Sequence, residues 1–255
     1  MKKTFLLSCL MLAAMPVMAA YTGHVYVDKN KNGVFDQSEK PLAGIKVSDG
    51  LNVVETAADG SFTLPGHERE RFIFITTPSG YKTFNRHYHK IEKKQSGYDF
   101  GLIPYSGRIR KDGSHRYIHI TDTEIFNTEN HADWVNNVHD YARNEQAAFI
   151  IHTGDLCYEK GLKAHIKLMN TENMDCPVFY CIGNHDLVKG KYGEELFESI
   201  YGPVYYSFDA GNVHYVVTPM PGGDHAPGYT SDDVCRWLKN DLAHIRPGTP
   251  GVVFN

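Results

Sequence analysis

Between residues 24 and 76 apolar and polar positions alternate in runs too short for a helix, at 24–27, 44–47, 53–56, 61–64 and 71–76. The breaks between runs are filled by turn formers: Asn32-Gly33, Ser48-Asp49-Gly50, Asp59-Gly60 and Pro78-Ser79-Gly80. Alternation with a period of two, bounded by such residues, predicts strands. No 3.6-residue apolar stripe interrupts them. Many short strands at regular spacing predict an all-β unit over residues 20–104, with an immunoglobulin-like β-sandwich as its simplest architecture.

The period changes after a linker at 105–114, which is rich in Gly and Arg. Residues 116–121, 148–153 and 177–182 are apolar runs of strand length, and helical stripes stand between them. Trp134, Val135, Val138, Tyr141 and Ala142 share one face, as do Leu162, Ile166 and Met169. A further helix is predicted after Thr230-Ser231, where Asp232 and Asp233 suit the positive end of the helix dipole and Val234, Trp237, Leu238 and Leu242 form a stripe. Strands alternating with helices predict an α/β layer arrangement over 115–255.

The first 19 residues fit neither pattern. Lys2 and Lys3 precede an apolar stretch from Phe5 to Met15, and Val17-Met18-Ala19 is a small-residue cleavage site. This is the layout of an export signal, and its apolar run is about half of the ~20 residues that span a bilayer. The expected mature protein is periplasmic or extracellular, with no transmembrane segment once the signal is removed. Removing it takes the formal net charge from −4 to −6, so neutralisation of a nucleic-acid backbone is not a plausible role. Four cysteines remain (Cys157, Cys176, Cys181 and Cys235), too few for a disulfide scaffold, and buried free thiols are expected.

The candidate chemistry lies where the α/β strands end. The three runs close on Thr121-Asp122-Thr123-Glu124, Gly154-Asp155-Leu156-Cys157-Tyr158 and Gly183-Asn184-His185-Asp186. Loops at the carboxyl ends of strands in an open α/β sheet form its ligand crevice, so the three sets can converge. Carboxylate, amide oxygen and imidazole bind borderline or hard divalent metals. Such a pair of metals suits phosphate-ester hydrolysis, in which negative oxygens shield the phosphorus and water is a weak nucleophile. Asp155 is the natural bridging carboxylate, because the glycine before it lets the backbone turn tightly.

In this order and spacing the sequence resembles the calcineurin-like metallophosphoesterase superfamily, whose first three blocks read DxH, GDxx and GNHD. The resemblance covers about residues 115–255 and implies an αββα metallophosphoesterase domain binding two divalent ions of the manganese, iron or zinc class. It also implies that Asp122 binds the first metal, Asp155 bridges, Asn184 binds the second, and His185 protonates the leaving oxygen with Asp186 holding its imidazole. The implied partner is a phosphorylated small molecule or a phosphodiester. Glu124 stands where the family has histidine, and as an oxygen ligand it would harden the first site. Tyr158 matches the iron-binding tyrosine of purple acid phosphatases. Residues 251–255 resemble the strand before the family's fourth block, so the domain is expected to be its first part only, with weak or absent turnover. His214, His225 and His244 stand outside the matching contexts and read as surface or packing residues.

A second candidate site lies in the β unit. Asp28, Asn30, Asn32, Asp36 and Glu39, with Gly33 at the turn, fit the oxygen spacing of a calcium loop. The loop resembles those of repeat B domains in bacterial surface proteins, and similar β units precede the catalytic domain in exported phosphoesterases. The leading expectation is an exported metal-dependent hydrolase. The alternative is a non-catalytic surface or glycan-binding protein that retains the fold.

Overall fold

A computed structural model describes residues 20–84, 86–93, 95, 97–106 and 108–255, and the expected export signal lies outside them. Among the described residues no helix is long and apolar enough to cross a membrane. The first nine strands are β1 (Tyr21–Val27), β2 (Lys40–Pro41), β3 (Lys46–Ser48), β4 (Val53–Glu55), β5 (Ser61–Leu64), β6 (Phe72–Ile75), β7 (Tyr81–Thr83), β8 (Tyr88–Lys90) and β9 (Phe100–Pro104). They form two sheets, one in the order β2-β1-β9-β7 with β5 also on β1, the other β4-β3-β6-β8. Val25, Phe62, Leu64 and Phe100 from the first sheet and Val47, Ile73 and Ile75 from the second enclose one apolar core, which makes the unit a sandwich. β2, β7, β8 and β9 escape the sequence pattern; β2, β7 and β8 are two or three residues each, too short to show alternation.

The second half begins with β10 (Tyr117–Ile120), α1 (Ala132–Asn144), β11 (Phe149–Thr153), α2 (Tyr158–Leu168), β12 (Val178–Cys181) and α3 (Glu195–Tyr201). β10, β11 and β12 are parallel neighbours, with Ile120 opposite His152 and Thr153 opposite Cys181, so all three finish level. β13 (Tyr206–Ala210), β14 (Val213–Val217), α4 (Ser231–Ala243) and β15 (Gly251–Phe254) follow, with β14 antiparallel to β13 and parallel to β15. Rings from both sheets fill the space between them: Phe179 and Phe208 stack at 3.6 Å, and Phe149 meets Phe208 and Tyr215 edge-on. The helix after Thr230 is present, capped by Thr230 and Asp233 reciprocally. Two stripe residues face solvent instead of the core, Tyr141 at 59% and Leu242 at 47% exposure, because each lies at the edge of an apolar arc already filled by its neighbours. Cys157, Cys176 and Cys181 are buried free thiols, whereas Cys235 is exposed.

The two halves share one core. Phe72, Phe74 and Tyr88 of the sandwich pack in the same cluster as Phe208, Val216 and Trp237. Arg71 pairs with Glu194 and Glu198 at 2.9 Å each, and the Asp209 N–H donates to the Thr77 carbonyl. A buried polar chain crosses the same boundary. Thr76 Oγ1 lies 2.8 Å from Ser207 Oγ, Ser207 donates to Asp241, His214 sits between Asp241 (2.8 Å) and Asp209 (2.6 Å), and Lys46 reaches Asp209 at 3.2 Å.

Burial pulls the His214 pKa down, but the two carboxylates outweigh it and push it up to about 9 from an ordinary 6.5. A group whose folded pKa is raised stabilises fully below its unfolded value and loses that contribution as pH climbs through the folded one. Thermal melts between pH 6 and 10 should therefore lose roughly 3 kcal/mol of stability across about pH 6.5 to 9. The Asp241→Asn variant should flatten that slope, and equal slopes in the two proteins would show that His214 is not its source.

Candidate metal centre

Gly154 and Gly183 decide the geometry of the site. Gly154 takes φ +86°, and a Cβ on it would fall 2.6 Å from the Gly183 Cα. A Cβ on Gly183 would fall 2.2 Å from the Asp155 nitrogen and 2.3 Å from its Oδ1. The loops after β11 and β12 therefore touch through their backbones, and only glycine fits. The loop after β10 joins them through Asp122 N–H to the Gly154 carbonyl (3.2 Å) and Glu124 N–H to the Asp155 carbonyl (3.4 Å). Asp155 Oδ1 accepts the His185 N–H at 3.2 Å. Asp122, Glu124, Asp155 and His185 are thus gathered at one end of the sheet, with Asn184 beside them in the turn Asn184–Asp186.

Asp122, Glu124 and Asp155 all have positive φ (52°, 44° and 51°), as do Cys157 and Tyr158 (88° and 51°). Non-glycine residues in this region carry backbone strain of order 1–3 kcal/mol each, held in place by surrounding bonds. Among the described residues none of the three carboxylates forms an ion pair. Three acidic side chains on touching loops, without a cation from the protein, form a donor set that fits divalent metal. Their ligand atoms are spread rather than bunched. Among the described residues the cluster with all ligand atoms within 4.8 Å is Asp49, His67 and Glu70, in the sandwich. There both ring nitrogens of His67 are engaged, by the Asp49 carbonyl and the Arg69 N–H, and Glu70 takes the Tyr21 hydroxyl and the His67 N–H. That cluster organises a turn.

Asp186 does not hold the His185 imidazole. It is fully buried and accepts the N–H groups of Cys157 and Gly183, both at 2.9 Å, which ties the two glycine loops together from beneath. Burial raises its pKa. The carboxylate at His185 is Asp224, whose Oδ2 lies 2.9 Å from Nδ1, with the Tyr158 hydroxyl 3.4 Å from the same nitrogen. The hydrogen bond to Asp224 raises the His185 pKa, against burial and with help from Asp155. Asp224 comes from the loop after β14, and no motif in the sequence marks it. Under the site His152 is buried, bonded to Thr123 at 2.8 Å, and pushed down to a pKa of about 3 by burial, so it stays neutral.

Residues 115–243 match the family model described as calcineurin-like phosphoesterase. The chain belongs to the calcineurin-like phosphoesterase family. Residues 29–104 match a second model, the N terminal of calcineurin-like phosphoesterase, so the sandwich is itself a recurring partner of this catalytic fold. No curated protein matches the chain. Calcineurin-like phosphoesterases generally bind two divalent metals and hydrolyse phosphoesters. Of the three histidines that stand outside the motifs, His214 is sealed between Asp209 and Asp241, His244 bonds Glu55 and the Val53 carbonyl, and His225 is exposed. A cleft of about 680 Å³ opens beside His214 and His244, lined also by Lys46, Asp209 and Arg246.

Asp28, Asn30, Asn32, Asp36 and Glu39 form one hydrogen-bonded loop. Asn30 and Asn32 both donate to Asp36 Oδ2 (2.8 and 3.0 Å), while the buried Asp28 and Glu39 accept backbone N–H groups of the same loop.

Because the touching glycines hold the strand-end loops together, Gly183→Ala should cut Mn²⁺ affinity at least about 10-fold in calorimetric titration while the sandwich remains folded by circular dichroism. Unchanged affinity would show that the close approach is dispensable.

Proposed function

We propose that this chain hydrolyses a phosphomonoester or phosphodiester with the help of two divalent cations held by Asp122, Glu124, Asp155 and Asn184. The observation that carries the reading is the set of three unpaired carboxylates at positive φ, Asp122, Glu124 and Asp155, on two backbone-linked loops, with the His185 N–H bonded to Asp155. Bound metal would supply charge neutralisation at the phosphoryl group and acidify the attacking water. The chain's own part is orientation and proton supply. Asp155 fixes the His185 backbone, and the protonated ring, an imidazolium, gives its proton to the departing oxygen and is left as neutral imidazole, because an alkoxide is a poor leaving group in water.

Glu124 adds a third carboxylate where an imidazole stands in the family's first motif. Hard oxygen donors favour manganese over zinc, so activity should be greater with Mn²⁺. The lysine pair, apolar stretch and small-residue site at the start of the sequence support export to the periplasm or beyond. The loop from Asp28 to Glu39 is proposed as a structural calcium site, with the amide oxygens of Asn30 and Asn32, which here accept the Asn32 and Val34 N–H groups, turned toward the ion.

With p-nitrophenyl phosphate and its bis-ester as substrates, the purified chain should show Mn²⁺-dependent turnover. Asp155→Ala should reduce it by about 10²-fold or more, and His185→Ala should do the same with an alkyl phosphate, whose leaving oxygen needs a proton, but less with the nitrophenyl esters. Turnover that survives both changes, or none with either metal, would sink the hydrolase reading. For the calcium loop, saturating Ca²⁺ should raise the melting temperature of the wild type and leave an Asp28→Ala, Asp36→Ala double variant unmoved; identical responses would remove the site.

A further inference from the structure

One nitrogen of the His185 ring is already engaged. Nδ1 faces the Asp224 carboxylate at 2.9 Å and, at a longer 3.4 Å, the Tyr158 hydroxyl. A carboxylate can only accept, so the shorter contact places a hydrogen on Nδ1 and leaves Nε2, which carries the second hydrogen only in the imidazolium form, as the nitrogen that can give a proton to a substrate oxygen. A ring free to flip would offer either nitrogen. One tethered at Nδ1 offers the same nitrogen each time.

The loop that brings Asp224 there is fixed at both ends. Its N–H donates to the Asn184 carbonyl at 3.1 Å, and Gly223 packs so near that a Cβ would fall 2.5 Å from that oxygen. On the far side Gly193 N–H donates to the Ala226 carbonyl (2.8 Å), and Tyr229 donates to Met220 (2.6 Å). Gly228 N–H donates to Glu194, a fully buried carboxylate paired with Arg71 of the sandwich, and Arg69 reaches the Gly228 carbonyl at 3.3 Å. The sandwich therefore braces the loop that carries Asp224.

We propose that Asp224 is the positioning residue for His185, fixing its Nδ1–H tautomer and ring orientation from a loop that the N-terminal sandwich holds in place. This rests on His185 being the proton donor. Its own test needs no turnover, so an inactive chain would defeat the hydrolase reading and leave the tether to be judged separately.

The experiment is long-range ¹H–¹⁵N correlation on the full chain labelled at histidine, at a pH where the rings are neutral, with the His185 signals identified by their absence in His185→Gln. The wild type should show the Nδ1–H pattern. Asp224→Asn, whose amide oxygen still accepts, should keep it, and Asp224→Ala should shift the ring to mainly Nε2–H. Asp224 is 39% exposed, so these variants leave the core intact. A wild-type ring in the Nε2–H form, an unchanged ring in Asp224→Ala, or an Asn variant that follows the Ala variant would overturn the proposal.

Discussion

Two glycines in contact, Gly154 and Gly183, set how near the ends of β11 and β12 can come, and the rest of the site is arranged around that distance. The parallel register brings the strand ends level, but level strands alone leave loops free to diverge. Backbone contact, with the Asp186 carboxylate bonded to both loops from below, removes that freedom. The cost appears as five neighbouring non-glycine residues at positive φ. Strain of this kind persists only where bonds over-determine the backbone, and here they come from all three loops at once.

The order of the three loop motifs, and their position after apolar runs, could be read directly from the sequence because strand ends and short polar motifs are local features. The helix after Thr230 could be read for the same reason: a capping box and an apolar stripe lie within a few turns of each other. What escaped depends on distance along the chain. Asp224 is 39 residues from His185, on a loop with no periodicity, and becomes its neighbour only through the Asn184 and Gly228 contacts. The family resemblance sets Asp186 against the His185 ring, but the turn Asn184–Asp186 sends successive side chains to different sides and the carboxylate goes under the loops. β13 and β14 are not legible in the sequence, because aromatic and polar residues mix in them and their burial comes from a facing sheet that the sequence does not display.

The polar chain from Lys46 to Thr76 shows how the boundary between the halves was built. Every buried charge on it has a partner: His214 between two carboxylates, Asp209 with Lys46, and Asp241 with Ser207. Buried charges that are paired and hydrogen-bonded specify one arrangement, since each alternative leaves a charge unmatched in a medium of low dielectric. Apolar packing around Trp237 supplies the attraction, and this chain supplies the register.

That joint limits how such proteins can be recombined. The match to two separate family descriptions suggests interchangeable parts, yet cutting at the linker would bare Trp237 and Phe208 on one piece and Phe72 and Phe74 on the other. Neither fragment would have a sealed surface. A graft of a different sandwich onto this catalytic half must therefore carry over matching aromatic residues and a lysine at the position of Lys46, or the hybrid will aggregate through the exposed seam.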